Sequence, residues 1–273
     1  MDALPRPATM SERPSSPPPP SSLLGRALKA LGWRARRLTR RLDGFFGAAY
    51  RGRRAEGRGT PYETRWQMTL REWLAYHQNK VHYDQCTWMG VKALKNPLDL
   101  WIYQEIVARV RPDVLVEIGS FEGGSTLFYA QLFDLLGQGE VLSVDLDHSR
   151  FAVRHPRVTI LTGDCSSPEV LGKVEERCRG RRALVIHDGD HRREAVRRDL
   201  ELYAPFVSVG SYLIVEDGIL DLFPPNDDFG FIEQGPYPAT LDFLARHPEF
   251  EIDESCERYV ATYNPRGFLR RMR

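Results

Sequence analysis

Apolar residues recur along this chain in three rhythms, and each predicts a different kind of element. From Leu24 the series Leu24, Leu28, Leu31, Ala35, Leu38, Leu42, Phe45, Ala49 steps by alternating fours and threes, with arginines on the other faces. That is the spacing of an amphipathic helix. The stretch "TRWQMTLREWLAYHQNKVHYDQCTWMGVKALKNPLDLWIYQEIVARVRPD" reads as a helix, an irregular segment and a second helix. The second helix starts near Pro97-Leu98-Asp99 and ends before Pro112, since proline suits a first helical turn and breaks an interior. Beyond residue 112 short apolar runs take over: "DVLVEIG", "GEVLSVDLD", "RVTILTGD", "RALVIHDGD" and "GSYLIVEDG". Helical stretches such as "STLFYAQLFDLL" and "REAVRRDLELYAPFV" separate some of them, which predicts βαβ units and a parallel sheet. At the end of the chain, "ATLDFLARHPEF" as helix and "CERYVATYN" as strand would supply an antiparallel edge.

Composition divides the 273 residues further. Residues 1–22 are too rich in Pro and Ser to pack and read as a disordered tail. Residues 23–60 hold the basic helix and a Gly/Arg-rich joint, 61–111 a helical cap region, and 112–273 the strand-rich domain. Residues 1–60 carry thirteen Lys and Arg against four acids, a balance of +9, so the overall +1 leaves −8 for the rest. An acidic body argues against a nucleic-acid partner. The basic helix has two open readings: contact of residues 23–54 with an anionic membrane surface or a partner helix, or packing on its own domain. No apolar run approaches the ~20 residues that span a bilayer, and no signal-peptide core is present. Four scattered cysteines form no CxxC pair, the pattern of reduced thiols rather than a disulfide framework. The expectation is a cytoplasmic protein, peripheral at most on the inner membrane face, with a homo-oligomer left open.

Ligands of an open parallel sheet bind beyond the carboxyl ends of its strands, and these ends are where the chemistry collects. In order they read Glu117-Ile-Gly119-Ser120-Phe-Glu-Gly123-Gly124-Ser125, Asp145-Leu-Asp147, Gly163-Asp164, Asp188-Gly-Asp190-His191 and Glu216-Asp217-Gly218. The first turn lets backbone approach a ligand ahead of a helix N-terminus. Its glycine spacing departs from the GxGxxG dinucleotide fingerprint and suits a nucleotide-type cofactor without a pyrophosphate. Asp145, 26 positions after Gly119, is placed to accept hydrogen bonds from ribose hydroxyls, and Asp164 or its neighbours to meet an adenine amine. Each acid alone also reads as a turn or helix cap.

The order EIGxxxGGS, VDLD, GD, DGDH, VEDG resembles that of class I S-adenosylmethionine-dependent methyltransferases, specifically metal-using small-molecule O-methyltransferases. From about Trp88 onward, "NPLDLWIYQEIVARVRPDVLVEIGSFEGGSTLFYA", "HDGDHRREAVRRDLELYAPFVSVGSYLIVEDG" and "YNPRGFLRR" are similar to the cephalosporin hydroxylase / rhamnosyl O-methyltransferase family. The resemblance implies a Rossmann-like α/β fold, a mostly parallel seven-stranded sheet with helices on both faces and an N-terminal helical extension. It implies S-adenosylmethionine and Mg2+, with a sugar, glycolipid or natural-product hydroxyl as acceptor. It assigns the Glu117–Ser125 turn to the methionine part of the cofactor, Asp145 to its ribose, and Asp188, Glu216 and Asp217 to the metal. An Asp-x-x-His arrangement in related sugar O-methyltransferases makes Asp188 the ligand and His191 the base, with Asp190 an alternative ligand or cap.

Elementary chemistry is consistent with that assignment. Hard carboxylates suit Mg2+, a metal-bound hydroxyl loses its proton more readily, and an imidazole with a pKa of about 6.5 can take it. A nicotinamide- or iron-dependent oxidoreductase or hydroxylase lacks both GxGxxG and a two-His, one-carboxylate set here. A noncatalytic membrane-associated scaffold would bind the cofactor without turnover. "CTWMGVKALKNPLDLW", with Trp88, Lys92, Lys95 and Trp101, reads either as an acceptor cover or as simple packing. In the loop 217–236, Phe223, Phe229 and Phe231 are candidate wall residues.

Overall fold

The structure is a computed structural model that describes residues 65–223 and 234–273. The expected tail, the basic helix and Phe229 and Phe231 lie outside the described residues. The chain divides into two units, Met1–Gln67 and Met68–Arg273, and every element below belongs to the second.

The first elements precede the sheet. α1 (Leu70–Tyr76) opens on a Thr69/Glu72 capping box and continues into a π-helix over His77–His82. β1 (Thr87–Trp88) then pairs with β2 (Val91–Lys92) as a short hairpin. α2 (Pro97–Val110) begins and ends where proline chemistry places it. The Asn96 side chain caps it by accepting from the Leu98 N–H, and Arg111 closes it in the left-handed conformation.

Seven strands form the main sheet. β3 (Val114–Ile118), β4 (Glu140–Asp145), β5 (Val158–Thr162), β6 (Ala183–His187) and β7 (Tyr212–Val215) run parallel, as their alternation with helices predicts. With β8 (Phe250–Ile252) and β9 (Phe268–Arg271) the order across the sheet is β5-β4-β3-β6-β7-β9-β8. β3, β6 and β7 are buried along their whole length, the reason they read as unbroken apolar runs. Side chains alternate between two layers. Val114, Val116 and Ile118 of β3 join a cluster with residues of α4 (Pro168–Cys178), α5 (Arg193–Tyr203) and α6 (Pro236–Leu244). Leu115 faces the other way, with Leu184, Ile186, α2 and α3 (Gly124–Leu136). The result is a helix–sheet–helix sandwich whose strand order reverses between β3 and β6, which opens a crevice at their carboxyl ends.

The antiparallel edge exists, but one of its strands lies later than the sequence pattern predicts. β8 pairs with β9, and β9 pairs with β7. The expected strand over "CERYVATYN" is instead a 3-10 turn at Glu254–Glu257 followed by irregular chain. Side chains have taken the backbone groups a ladder would need. Asp99 accepts the Tyr263 N–H at 2.8 Å and the Thr262 hydroxyl at 2.6 Å, and Thr262 accepts the Asn264 N–H at 2.9 Å.

Both His77 and His82 of the π-helix are buried. His77 Nδ1 lies 2.6 Å from the Tyr263 hydroxyl, while its Nε2 has no hydrogen-bond partner among the described residues. Burial, with a smaller contribution from His82, pushes the His77 pKa down to about 4. A histidine depressed in the folded state supports folding above its unfolded value of about 6.5 and withdraws that support as pH falls toward 4. We predict that urea unfolding of the wild-type protein loses on the order of 2 kcal/mol more than His77→Phe between pH 7 and pH 4.5. Equal pH slopes for the two proteins would show that His77 carries no such load.

Candidate functional site

The site is built where the sheet reverses. After β3, Gly119 takes a φ of +85°, and a Cβ there would lie 2.0 Å from the Asp188 carbonyl oxygen. Only a glycine lets the two strand ends meet this closely. The Gly119 N–H donates to Val144 O, and the Asp188 N–H donates to Ile118 O, both at 2.8 Å, so β3, β4 and β6 finish together. At Gly124, the first residue of α3, a Cβ would lie 2.1 Å from the Lys92 carbonyl oxygen. The missing side chain admits the β1–β2 hairpin against the helix end.

A cleft of about 750 Å³ opens above these ends, within the size range of small-molecule sites. Ser120, Ser125, Asp145, Asp147 and Asp164 line it. Asp145 Oδ2 accepts the N–H groups of Ser120 and Phe121 at 2.9 and 3.1 Å, which ties the turn after β3 to the end of β4. Asp147 and Asp164 accept from Ser149 and Ser166, two residues on; they are turn caps at the cleft wall. Leu146 between the two acids is 73% exposed, an apolar surface offered to the cleft. Glu117 is fully buried and bonded by the Thr126 hydroxyl. With Gly123 and Gly124 it stands behind the cleft wall and supports the turn.

The acidic cluster forms at the ends of β6 and β7. His191 Nε2 sits 3.3 Å from Asp188 Oδ1 and 3.2 Å from Asp217 Oδ2, and one ligand atom from each of Asp188, His191 and Asp217 lies within 4.8 Å of the others. Burial opposes charge on His191, but its two carboxylate contacts outweigh it and lift the pKa to about 10. Burial likewise pushes Asp188 up, and Lys95 and His191 overcome it, holding the carboxyl down near 2.

Asp217 adopts a left-handed φ of 61°, uncommon for a non-glycine residue. Its N–H donates to Asn264 Oδ1 at 3.1 Å, and Asn264 Nδ2 donates to the Tyr103 hydroxyl at 2.6 Å. The "YNPRG" segment thereby holds the backbone of Asp217, a role its sequence gives no sign of. Asp190 is not part of the cluster: both its oxygens accept from Arg192 Nε, at 2.9 and 2.8 Å.

Glu216 differs from expectation in a second way. It is buried beside the cluster, with Oε2 accepting from Lys95 Nζ at 2.8 Å, and Lys95 also contacts Asp188 Oδ2. Burial disfavours charge on Lys95, but the two carboxylates more than offset it and keep the ammonium protonated far above neutral pH. The "CTWMGVKALKNPLDLW" segment thus delivers a lysine to the site rather than aromatic faces. Trp88 packs on Phe128 and donates to Gln131, while Trp101 is exposed and donates to Glu105. Phe223 is buried against Leu74 and Ile219 in a separate cluster. His82, which also lines the cleft, carried no sequence signal beyond its residue type.

Comparison with known proteins gives consistent likenesses. The profile of the "Rhamnosyl O-methyltransferase/CmcI" family matches residues 79–272. A "Rhamnosyl O-methyltransferase" of Mycobacterium leprae is 34% identical over 202 residues, 71% of this chain and 86% of that protein. One from Mycobacterium bovis is 30% identical over 203 residues, 71% of this chain and 81% of that protein. Among solved structures, one described as "cmcI-D160 Mg-SAM" shares the fold, with a TM-score of 0.54 and 20% identity over 80% of this chain and 87% of its own.

Gly119 and Gly90 separate contact from conformation, since Gly90 has a similar φ of +84° with nothing within 4 Å of the position a Cβ would take. Gly119→Ala is predicted to cost about 3 kcal/mol or more through the clash with Asp188, and Gly90→Ala about 1 kcal/mol from its backbone conformation alone. Denaturant midpoints measure both, and equal losses would contradict the close approach.

Proposed function

The chain belongs to the rhamnosyl O-methyltransferase/CmcI family, and from that membership we propose that it is an S-adenosylmethionine-dependent, divalent-cation-assisted O-methyltransferase whose acceptor is a hydroxyl of a rhamnosyl or related sugar. The observation that carries this reading is the meeting of Asp188, His191 and Asp217 at the edge of the cleft above the glycine turn. The residues present fit both groups. The cleft offers exposed Leu146 to an apolar ring and Asp145 to ribose hydroxyls, with a helix N-terminus behind the turn. Asp188 and Asp217 are hard oxygen donors of the kind Mg2+ takes, and Glu216 beside them keeps one buried oxygen, Oε1, without a hydrogen-bond partner among the described residues. Asp190, committed to Arg192, is the weaker candidate.

When bound, S-adenosylmethionine supplies the methyl group and the cation a Lewis acid that eases loss of the acceptor's hydroxyl proton. His191 takes that proton at Nε2. Its imidazolium is supported by Asp188 and Asp217. Were those carboxylates drawn to a cation, that support would weaken and burial would favour the neutral ring, the form able to act as a base. Asp188 and Asp217 also fix the ring's position, which is the alignment an in-line transfer requires. Among the described residues no helix is long and apolar enough to cross a membrane. Residues 23–54, a basic amphipathic segment by sequence, would bring the protein to an anionic membrane surface and to a glycolipid acceptor.

Incubation with S-adenosylmethionine, Mg2+ and rhamnosyl glycosides, followed by mass spectrometry, is expected to show gain of one methyl group on the sugar. His191→Ala should lower transfer by about a hundredfold or more while retaining cofactor binding by calorimetry. Asp188→Ala should weaken Mg2+ binding by at least about tenfold, whereas Asp190→Ala stays within about twofold of wild type. Unchanged turnover in His191→Ala removes it as the base, and cofactor binding without transfer to any sugar would favour a scaffold.

A further inference from the structure

Lys95 is a side chain that the proposed reaction does not use, and it occupies the most crowded part of the site. It is 3% exposed. Its ammonium bridges two strand ends, meeting Asp188 after β6 and Glu216 after β7. We propose that Lys95 is a built-in stand-in for the divalent cation: its ammonium and the cation are alternative partners of Asp188, so Lys95 sets how tightly the cation is held. The inference rests on reading Asp188 and Asp217 as cation ligands.

Three features support the exchange. First, Asp188 is shared between two positive partners, with Oδ2 on Lys95 and Oδ1 on His191; a cation taking this carboxylate must displace one or lie against both. Second, the backbone of Lys95 is held on both sides of its Cα. Lys95 N–H donates to Ala93 O at 2.8 Å, Cys86 Sγ donates to Lys95 O at 3.2 Å, and the adjacent Asn96 is bound to Ala261 O at 3.0 Å. Movement therefore falls to the four-carbon side chain, which has many rotamers. Third, among the described residues Glu216 Oε1 is buried without a hydrogen-bond partner, next to the oxygen that already binds Lys95, so the ammonium can leave Asp188 and remain paired.

Without a cation, the lysine keeps carboxylates from repelling one another in a buried place, and the site stays assembled. With one, the same lysine is a competing charge that lowers affinity. It is a positioning residue, and it would make cation binding reversible at a site whose acid content alone would hold a metal more firmly.

Binding of Mn2+ alone, without cofactor or acceptor, tests this by calorimetry on wild type and Lys95→Met. The variant is expected to bind Mn2+ at least tenfold more tightly, and to gain more in Tm on Mn2+ addition because its unpaired carboxylates lack a counter-ion until then. Equal or weaker binding by the variant overturns the exchange, and no binding by either protein overturns the cation reading itself. Where Lys95→Met fails to fold, wild-type protein labelled with 13C at lysine Cε gives the second measurement. Mg2+ should shift the signal of the buried lysine with the midpoint of Mg2+ binding by calorimetry; a signal unmoved at saturation contradicts the proposal.

Discussion

Three carboxylates delivered by two adjacent strand ends cannot share a buried site unless positive charge comes with them, and much of the site's architecture serves that requirement. Asp188, Glu216 and Asp217 arrive together because β6 and β7 are parallel neighbours in register, with His187 opposite Val215. Lys95 meets Asp188 and Glu216, and His191 meets Asp188 and Asp217, which supplies the compensating charge. Removing one partner of such a buried set is costly because the remaining charge stays desolvated. Elements far apart in sequence are therefore tied to one place: the cap of α2 beside Lys95, the turn before α5 with His191, and the segment before β9, whose Asn264 holds Asp217.

The same constraint joins the acidic cluster to the cleft. Gly119 brings the end of β3 against the Asp188 carbonyl, so the floor of the cofactor-sized cleft and the backbone of a proposed cation ligand are one contact. Asp145 then binds the turn from the other side. Methyl transfer needs the methyl donor and the acceptor's oxygen held in line within a few ångströms, and rigid coupling of the two half-sites is how a fold supplies that alignment. Contact with Asp188 and Asp217 favours the charged form of His191, which ties its protonation to the same two carboxylates.

Much of this was legible in the sequence, for physical reasons. Strands buried on both faces are apolar nearly throughout, so "VLVEI", "ALVIH" and "YLIV" declare themselves despite buried Glu117 and His187, and the chemistry follows at their ends because parallel strands expose those ends on one edge. Asp188, His191 and Asp217 were readable on that ground. Lys95 was not: it lies outside any strand end, and only the three-dimensional path of the chain before α2 brings it to β6 and β7. Asn264 was hidden for the same reason, since its role is a single bond to the Asp217 backbone. The expected strand over "CERYVATYN" failed because its alternating apolar residues were outcompeted by side-chain bonds from Asp99 and Thr262. Spacing leaves Asp188 and Asp190 equivalent; in the structure Asp188 lies with His191 and Asp217, while Asp190 pairs with Arg192.

Anomalous scattering from crystals grown with Mn2+ and S-adenosylhomocysteine tests the central claim most directly, because it reports the cation's position without reference to activity. The account predicts one strong peak within bonding distance of Asp188 and Asp217, with the nucleoside in the cleft over Gly119 and Asp145. A peak at Asp190, or a nucleoside in the cleft with no metal at the ends of β6 and β7, would contradict it.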